Sequence, residues 1–112
     1  MKLTKLTVAL LMSFSASLMA APFAYVPNEG SGTISIIDTQ TDVVAGEIAI
    51  GGKPRGIAIS PDGKRLYVSE QKGEHVDVID TTTKKFIKKI AVGDSPEAVY
   101  VNQDGSLIAV AN

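Results

Sequence analysis

Residues 25–63 read YVPNEGSGTISIIDTQTDVVAGEIAIGGKPRGIAISPDG, and residues 67–105 read YVSEQKGEHVDVIDTTTKKFIKKIAVGDSPEAVYVNQDG. A shift of 42 positions aligns the two segments without a gap, and the identical positions are mostly turn formers and strand residues. Such a period is typical of repeat architectures, in which each unit buries its apolar surface against the next. The matches are Tyr25-Val26 with Tyr67-Val68, Ile37-Asp38-Thr39 with Ile79-Asp80-Thr81, Ile48-Ala49 with Ile90-Ala91, Gly51 and Pro54 with Gly93 and Pro96, and Asp62-Gly63 with Asp104-Gly105.

Each unit reads as four short strands. Arg55–Ser60 and Arg65–Ser69 predict a hairpin, because the Pro-Asp-Gly-Lys segment 61–64 between them combines a proline with a glycine that accepts positive φ. The alternation of polar and apolar residues in His75–Asp80 predicts the third strand. After an Asp-Thr-Thr-Thr turn, Lys85–Val92 is the fourth.

The preceding unit supplies only three predicted strands, Phe23–Asn28, Thr33–Asp38 and Val43–Ile50. Four strands in about 42 residues, repeated head to tail without helical periodicity, indicate an all-β fold of the β-propeller type. A solenoid or a sandwich is the alternative, but solenoid repeats are shorter and a sandwich does not need an ungapped period. The prediction places blade strands in 23–50, a complete blade in 55–92 and the start of the next blade in 97–112.

The first twenty residues have the three-part pattern of a secretory signal peptide of the Sec type. Lys2 and Lys5 precede the apolar run 6–12, and a segment rich in small residues ends at Ala20. The run is much shorter than the roughly 20 residues of a membrane-spanning helix. We therefore expect cleavage after residue 20, no membrane span in the mature part 21–112, and export to the periplasm or beyond in a bacterium.

Several of these motifs identify a family resemblance. The Tyr-Val pairs at 25 and 67, the Ile-Asp-Thr-x-Thr turns and the Ser-Pro-Asp-Gly hairpin resemble the YVTN family of exported β-propeller proteins. The segments 28–32, 53–56 and 95–97 are also similar to propeller proteins associated with pyrroloquinoline-quinone (PQQ)-dependent alcohol catabolism. The resemblance implies a ring of about seven blades when complete.

The length of 112 residues accommodates only two to two and a half such blades. Seven blades of this period would need roughly 290 residues, and a propeller has at least about four blades. The chain is therefore predicted to be a fragment whose partners are the remaining blades of a longer protein. Self-assembly of several short chains into one ring is the alternative.

Composition excludes several classes of chemistry. The chain has no cysteine, so disulfides, thiolate catalysis and covalent c-type haem attachment are ruled out for these residues. Removal of Lys2 and Lys5 with the signal would leave nine basic and twelve acidic side chains. This acidic balance does not favour nucleic-acid binding, which depends on a basic surface. No cofactor-binding motif is recognisable.

Ligand-binding candidates come from the position that follows the shared proline. It holds Arg55 in one repeat and Glu97 in the next, and in a propeller this position borders the mouth of the central channel. A position that keeps its backbone frame but changes charge suits ligand contact, with a solvated rim charge or an Arg55–Glu97 ion pair as the alternative. Asn28 and Glu29, equivalent to Glu70 and Gln71, border another loop and are further candidates.

Other polar residues are interpreted as structural. Asp38 and Asp80 read as turn caps, and the pairs Asp62-Gly63 and Asp104-Gly105, with Pro54 and Pro96, read as turn residues, because no further carboxylates complete a calcium loop. His75, the single histidine, has no second metal ligand or nucleophile beside it and is predicted to lie on the surface. The lysines at 84, 85, 88 and 89 are predicted to protect an exposed edge strand from pairing with other chains.

The sequence therefore favours a non-enzymatic binding or accessory module in the periplasm, with a small molecule or a periplasmic protein as its ligand. The resemblance links it to PQQ-dependent alcohol oxidation. Two alternatives remain: a propeller enzyme of lactonase or haem-d type, and a periplasmic propeller that binds single-stranded nucleic acid. No catalytic residue, metal ligand or cofactor is predicted, and fold alone does not choose between these functions.

Overall fold

The computed structural model describes residues 22–112, which form antiparallel β-sheets and contain no helix able to span a membrane. The signal peptide predicted for residues 1–20 lies outside the described residues. The strands are β1 (Phe23–Asn28), β2 (Thr33–Asp38), β3 (Val43–Ala49), β4 (Pro54–Ile59), β5 (Arg65–Glu70), β6 (His75–Asp80), β7 (Phe86–Ala91), β8 (Ala98–Val101) and β9 (Ile108–Ala111).

The strands form three sheets in which neighbours along the chain are neighbours in space. The orders are β1-β2-β3, β4-β5-β6-β7 and β8-β9, and every pairing is antiparallel. The 42-residue shift superimposes β1 on β5 and β4 on β8, so the four-stranded sheet is one full repeat unit. We call the three sheets blade one, blade two and blade three. The predicted all-β, propeller-type fold is confirmed.

The β4–β5 hairpin turns where the Pro-Asp-Gly-Lys segment predicted it. Asp62 Oδ1 accepts hydrogen bonds from Ser60 Oγ at 2.5 Å and from Lys64 N at 3.0 Å, and Gly63 has a φ of 73°. In blade three, Gly105 adopts the same conformation with a φ of 74°. Positive φ costs glycine little because it has no Cβ, which explains its place in both turns.

The β6–β7 turn is closed by the aspartate at its start. Asp80 Oδ1 accepts hydrogen bonds of 2.8 Å from Thr82 N and Thr83 N, and Asp38 closes the β2–β3 turn in the same way. The turn then passes through Lys84 with a φ of 60° before β7 begins at Phe86. The observed strand Phe86–Ala91 lies within the predicted fourth strand 85–92 and is one residue shorter at each end.

Blade two buries apolar residues on both of its faces. Leu66, Val68 and Ile79 join a cluster with the isoleucines of blade one, Ile34, Ile36 and Ile48. On the opposite face, Tyr67, Val76 and Val78 pack with valines of blade three. The outermost strand β7 has five exposed residues out of six, which confirms the prediction of an exposed edge for its lysines.

The first strands of blades two and three approach each other closely at Gly56. Its amide donates to Ser69 Oγ at 2.7 Å, and the same hydroxyl donates to the carbonyl of Glu97 at 2.8 Å. A Cβ on Gly56 would collide with that carbonyl and lie 2.9 Å from Ala98 Cα. The fully buried Ser69 therefore joins two blades through a gap that only glycine fits.

Gly56→Ala should lower the free energy of unfolding by about 1–3 kcal/mol, because the methyl group forces β4 and β8 apart. Gly30→Ala is the matched control, since no atom lies within 4 Å of its added Cβ, and a change within about 0.5 kcal/mol is expected. Urea unfolding followed by circular dichroism measures both. Equal effects of the two substitutions would contradict the close approach.

Candidate functional site

Four charged side chains meet where β1 ends and β4 and β8 begin. Arg55 Nη1 lies 2.6 Å from Glu97 Oε1, and Arg55 Nε lies 3.4 Å from Glu29 Oε2. Lys53 Nζ lies 3.7 Å from the other oxygen of Glu29. These residues, named here the mouth cluster, bring together three of the four predicted ligand-binding candidates and add Lys53.

The mouth cluster repeats a junction between blades. Glu29 and Lys53 correspond through the 42-residue shift to Gln71 and Ser95, and Gln71 Nε2 donates to Ser95 Oγ at 2.9 Å. The side chains at these equivalent positions thus form an ion pair at one junction and a neutral hydrogen bond at the next. Side chains at this junction vary in charge while the blade geometry stays constant.

The side chains of the mouth cluster are accessible to solvent. The exposed fraction is 35% for Arg55, 43% for Glu29 and 59% for Glu97. Ion pairs at this exposure contribute roughly 0–1 kcal/mol each. Stability therefore does not require them, and their donors and acceptors are open to a ligand.

Asn28 is not part of the mouth cluster. Its Nδ2 donates to Thr33 Oγ1 at 3.2 Å and to Ser35 Oγ at 2.9 Å, both on β2. This side chain is therefore engaged within its own blade.

The predicted turn residues have two kinds of position. Asp38, Asp80, Asp62 and Asp104 accept hydrogen bonds from backbone amides two residues further along the chain, and Gly63 and Gly105 provide the positive φ described above. The two prolines are instead buried next to the first strands: Pro54 begins β4, and Pro96 precedes β8. Pro54 thus belongs to a strand rather than to a turn.

The strongest electrostatic feature of blade two was missed at the sequence level. Glu70, His75 and Asp77, named here the buried triad, lie on the β5 and β6 positions that face blade one. Glu70 is 5% exposed and Asp77 is 1% exposed. Charged side chains are rarely buried to this degree unless they are paired.

Glu70 binds the backbone of the segment that precedes β4. Its carboxylate accepts hydrogen bonds from the backbone amides of Lys53, Lys72 and Gly73. Burial alone would raise the pKa of Glu70, but these three donors favour the charged form, and the pKa lies below its ordinary value. The carboxylate therefore joins the segment before β4 to the β5–β6 loop.

The prediction of a surface position for His75 is wrong. Its side chain is only 14% exposed, with Nε2 3.1 Å from Asp77 Oδ1 and Nδ1 2.8 Å from the carbonyl of Gly73. Burial raises the pKa of Asp77 above its ordinary value. The ring lies between the carbonyl of Gly73 in the loop before β6 and the carboxylate of Asp77, and the local sequence does not reveal these contacts.

The repeat itself contained the signal for the buried triad. The 42-residue shift places Glu70, His75 and Asp77 on Asn28, Thr33 and Ser35, which form the neutral hydrogen-bonded set described above. In blade one these three positions hold polar residues that are hydrogen-bonded to one another, which identifies a polar pocket of the repeat. Their joint replacement by ionisable residues marks blade two as different.

Two other features do not form a site. A groove of about 730 Å³ between blades one and two is lined by Tyr25, Ile36 and Ile59, with Asp62 and Thr81 at its border. Both border residues are already hydrogen-bonded within the β4–β5 and β6–β7 turns. Within residues 22–112, no group of three or more histidine, aspartate or glutamate side chains is placed to hold a metal ion.

Comparison with known proteins identifies the architecture. The sequence profile of the family described as YNCE-like beta-propeller matches residues 7–106. A curated protein of Mycobacterium tuberculosis (strain ATCC 25618 / H37Rv), the PE-PGRS family protein PE_PGRS18, is 51% identical over 37 residues, which are 33% of this chain and 8% of that protein.

Solved structures show the same fold. Hydrazine synthase from Kuenenia stuttgartiensis superimposes with a TM-score of 0.77 and is 34% identical in sequence. The match covers 80% of this chain and 25% of the hydrazine synthase chain. Dihydro-heme d1 dehydrogenase NirN superimposes with a TM-score of 0.69 and is 20% identical in sequence. This match covers 82% of this chain and 20% of the NirN chain. The chain thus spans a quarter or less of these relatives, and the second likeness concerns the fold alone.

Glu70→Gln should lower the free energy of unfolding by about 1–3 kcal/mol, because a neutral amide cannot replace the carboxylate acceptor of three buried amides. The pKa of Glu70 is lowered in the folded chain, so its contribution is present above about pH 4.5 and is lost as the pH falls through the folded value. The gap between the native chain and the variant should therefore narrow between pH 5 and 3.

Urea unfolding at a series of pH values measures this gap. Glu47→Gln, the same substitution at an exposed position of β3, is the control and should change stability little at any pH. A gap for Glu70→Gln that stays constant down to pH 3 would contradict the role of the charged carboxylate.

Proposed function

Because the chain belongs to the YNCE-like beta-propeller family, we propose that it is part of an exported, periplasmic propeller that binds a polar small molecule at the mouth cluster. In this proposal the protein is a non-enzymatic accessory of PQQ-dependent alcohol oxidation. The observation that carries the proposal is the mouth cluster, in which exposed charges from three blades converge at the first strands.

The charge balance of the mouth cluster suggests the chemical class of the ligand. Lys53 and Arg55 are matched by Glu29 and Glu97, so the cluster offers donors and acceptors without a net charge. A neutral or zwitterionic compound with several hydrogen-bonding groups suits such a surface. A polyanion would meet two carboxylates at the same place.

A second candidate function is a propeller that belongs to an enzyme. The 34% identity to hydrazine synthase over 80% of this chain favours it. The mouth cluster itself has no thiol or hydroxyl nucleophile and no metal-holding group within residues 22–112. In this case, the catalytic residues would be supplied by parts of the ring beyond these blades.

Further blades are the proposed partners of the two outer sheets. Two large apolar residues of blade three, Tyr100 and Leu107, are 66% and 68% exposed. Tyr100 alternates along β8 with Val99 and Val101, which pack on blade two, so its own side faces away from that blade, and Leu107 lies just before β9. The additional blades come from a longer polypeptide or from further copies.

The native protein should appear in the osmotic-shock fraction of the bacterial cell as a species of roughly 30 kDa or more, the size of about seven blades. Size-exclusion chromatography, with detection by an antibody raised against residues 55–92, measures the size of this species. Amino-terminal sequencing should show that the mature chain starts near residue 21, whether the ring is one long chain or an assembly of short ones. A soluble species of about 10 kDa, or retention in the cytoplasm, would overturn the proposed ring or its location.

Protein purified from the periplasm without denaturation should retain a small molecule that native mass spectrometry detects. The double variant Arg55→Gln/Glu97→Gln should lose it, because two direct contacts of the mouth cluster disappear. The matched control Lys88→Gln/Glu47→Gln removes one charge of each sign from exposed strands and should retain it. Retention by the mouth variant, or absence of any small molecule from the native protein, would count against the proposal.

A further inference from the structure

The environment of His75 determines which ring nitrogen carries hydrogen. Nδ1 lies 2.8 Å from the carbonyl oxygen of Gly73, and a carbonyl accepts hydrogen bonds but donates none. We therefore assign a proton to Nδ1. In a neutral imidazole this leaves Nε2 as an acceptor with an unshared electron pair.

The Nε2 atom then faces a second acceptor. Asp77 Oδ1 is 3.1 Å away, a contact that has the length of a hydrogen bond but not its alignment. Both atoms are buried, and no other group within the described residues gives either one a hydrogen bond. A bare imidazole nitrogen and a carboxylate oxygen would repel each other here, and each would lack compensation for burial.

One additional proton removes this conflict. We propose that the buried triad is a proton-binding site in which His75 and Asp77 share one proton, and that loss of this proton at higher pH lowers the stability of the folded chain. The shared proton gives either an imidazolium next to a carboxylate or an imidazole next to a carboxylic acid. Both arrangements place a donor between the two atoms.

Burial of Asp77 and the negative charge of Glu70 favour uptake of the proton, whereas the positive charge of Lys89 opposes it. Glu70 carries a negative charge close to His75, and a Cβ built on Gly73 would touch both of their side chains. On the neighbouring strand β7, Lys89 pairs with Asp77 in register but is itself exposed. The same groups act on Asp77, whose pKa is raised mainly by burial. Without the extra proton, the buried charge of Asp77 would be offset only by the solvated Lys89, because the three amides at Glu70 do not reach it.

The triad is connected to the mouth cluster through the backbone. Glu70 accepts from the amide of Lys53, and the side chain of Lys53 pairs with Glu29. A Cβ on Gly52, which has a φ of 59°, would collide with the Glu70 carboxylate, so the segment before β4 is built around this group. A shift of Glu70 in response to its neighbours would therefore displace Lys53 and the start of β4.

The direction of the pH effect follows from proton counting. Above about pH 6.5 an unfolded histidine has lost its proton, whereas the folded triad keeps one. The folded state then binds more protons, so stability is fully present below this pH and decreases as the pH rises until the triad releases its proton. In this window, the unfolding equilibrium constant should increase by up to tenfold per pH unit.

Because His75 is the single histidine of the chain, nuclear magnetic resonance reads the site directly. At pH 7.5, nitrogen–proton correlation spectra of the imidazole should show hydrogen on Nδ1 and either hydrogen on Nε2 or a strong hydrogen bond accepted by it. A neutral ring with hydrogen on Nε2 alone would overturn the proposal, because such a ring needs no shared proton.

Asp77→Asn tests the consequence for stability. The asparagine amide donates a hydrogen bond to Nε2 without an additional proton, so unfolding midpoints of this variant should not change between pH 6.5 and 8.5. The control Asp42→Asn removes an exposed carboxylate and should keep the pH dependence of the native chain. An unchanged slope for Asp77→Asn, or a flat profile for the native chain, would overturn the proposal.

A double variant guards against misfolding of the single substitution. His75→Thr/Asp77→Ser gives β6 the neutral residues that blade one already has at Thr33 and Ser35, and it keeps Glu70 as the acceptor of its three backbone amides. It should fold and show no decline of stability above pH 6.5. A decline equal to that of the native chain would assign the pH effect to groups other than His75 and Asp77.

Discussion

Burial of both faces of each sheet is the constraint on which the other features depend. In blade two, Leu66 and Val68 pack on blade one, while Tyr67 and Val78 pack on blade three. At roughly 25 cal/mol per Å² of apolar area removed from water, such contacts are the main source of stability, and no blade obtains them alone. The repeat period, the alternating apolar residues and the close approach at Gly56 all serve this stacking.

Stacking also explains why the mouth cluster combines residues from distant parts of the sequence. Blade one adds the end of β1, and blades two and three add the beginnings of β4 and β8. Arg55 therefore contacts both Glu29 and Glu97, although these lie 26 and 42 positions away from it in the sequence. A side-chain contact is also made at the next junction, where Gln71 donates a hydrogen bond to Ser95. In such a fold, the chemistry of the border can therefore change from blade to blade through side-chain replacement while the backbone positions stay the same.

The buried triad shows how one repeat unit acquires a property that its neighbour lacks. Blade one satisfies the pocket at the end of its strand pair with neutral groups, whereas blade two places Glu70, His75 and Asp77 there. Three backbone amides compensate the charge of Glu70. The contact between His75 Nε2 and Asp77 Oδ1, in contrast, needs one additional proton to become a hydrogen bond. Burial between blades turns an ordinary polar position into one whose protonation affects the fold.

The sequence alone determined the strand order, the hairpin at 61–64, the aspartate-closed turns and the propeller class, because period and turn chemistry are local properties of the chain. It also identified Arg55 and Glu97 as equivalent positions, and it offered the ion pair that the structure shows as the alternative to ligand contact. Only the tertiary structure decided that Lys53 joins them, that Asn28 does not, and that His75 is buried. Those outcomes depend on how closely successive blades pack and on which groups lose water there, and neither quantity is contained in the local sequence.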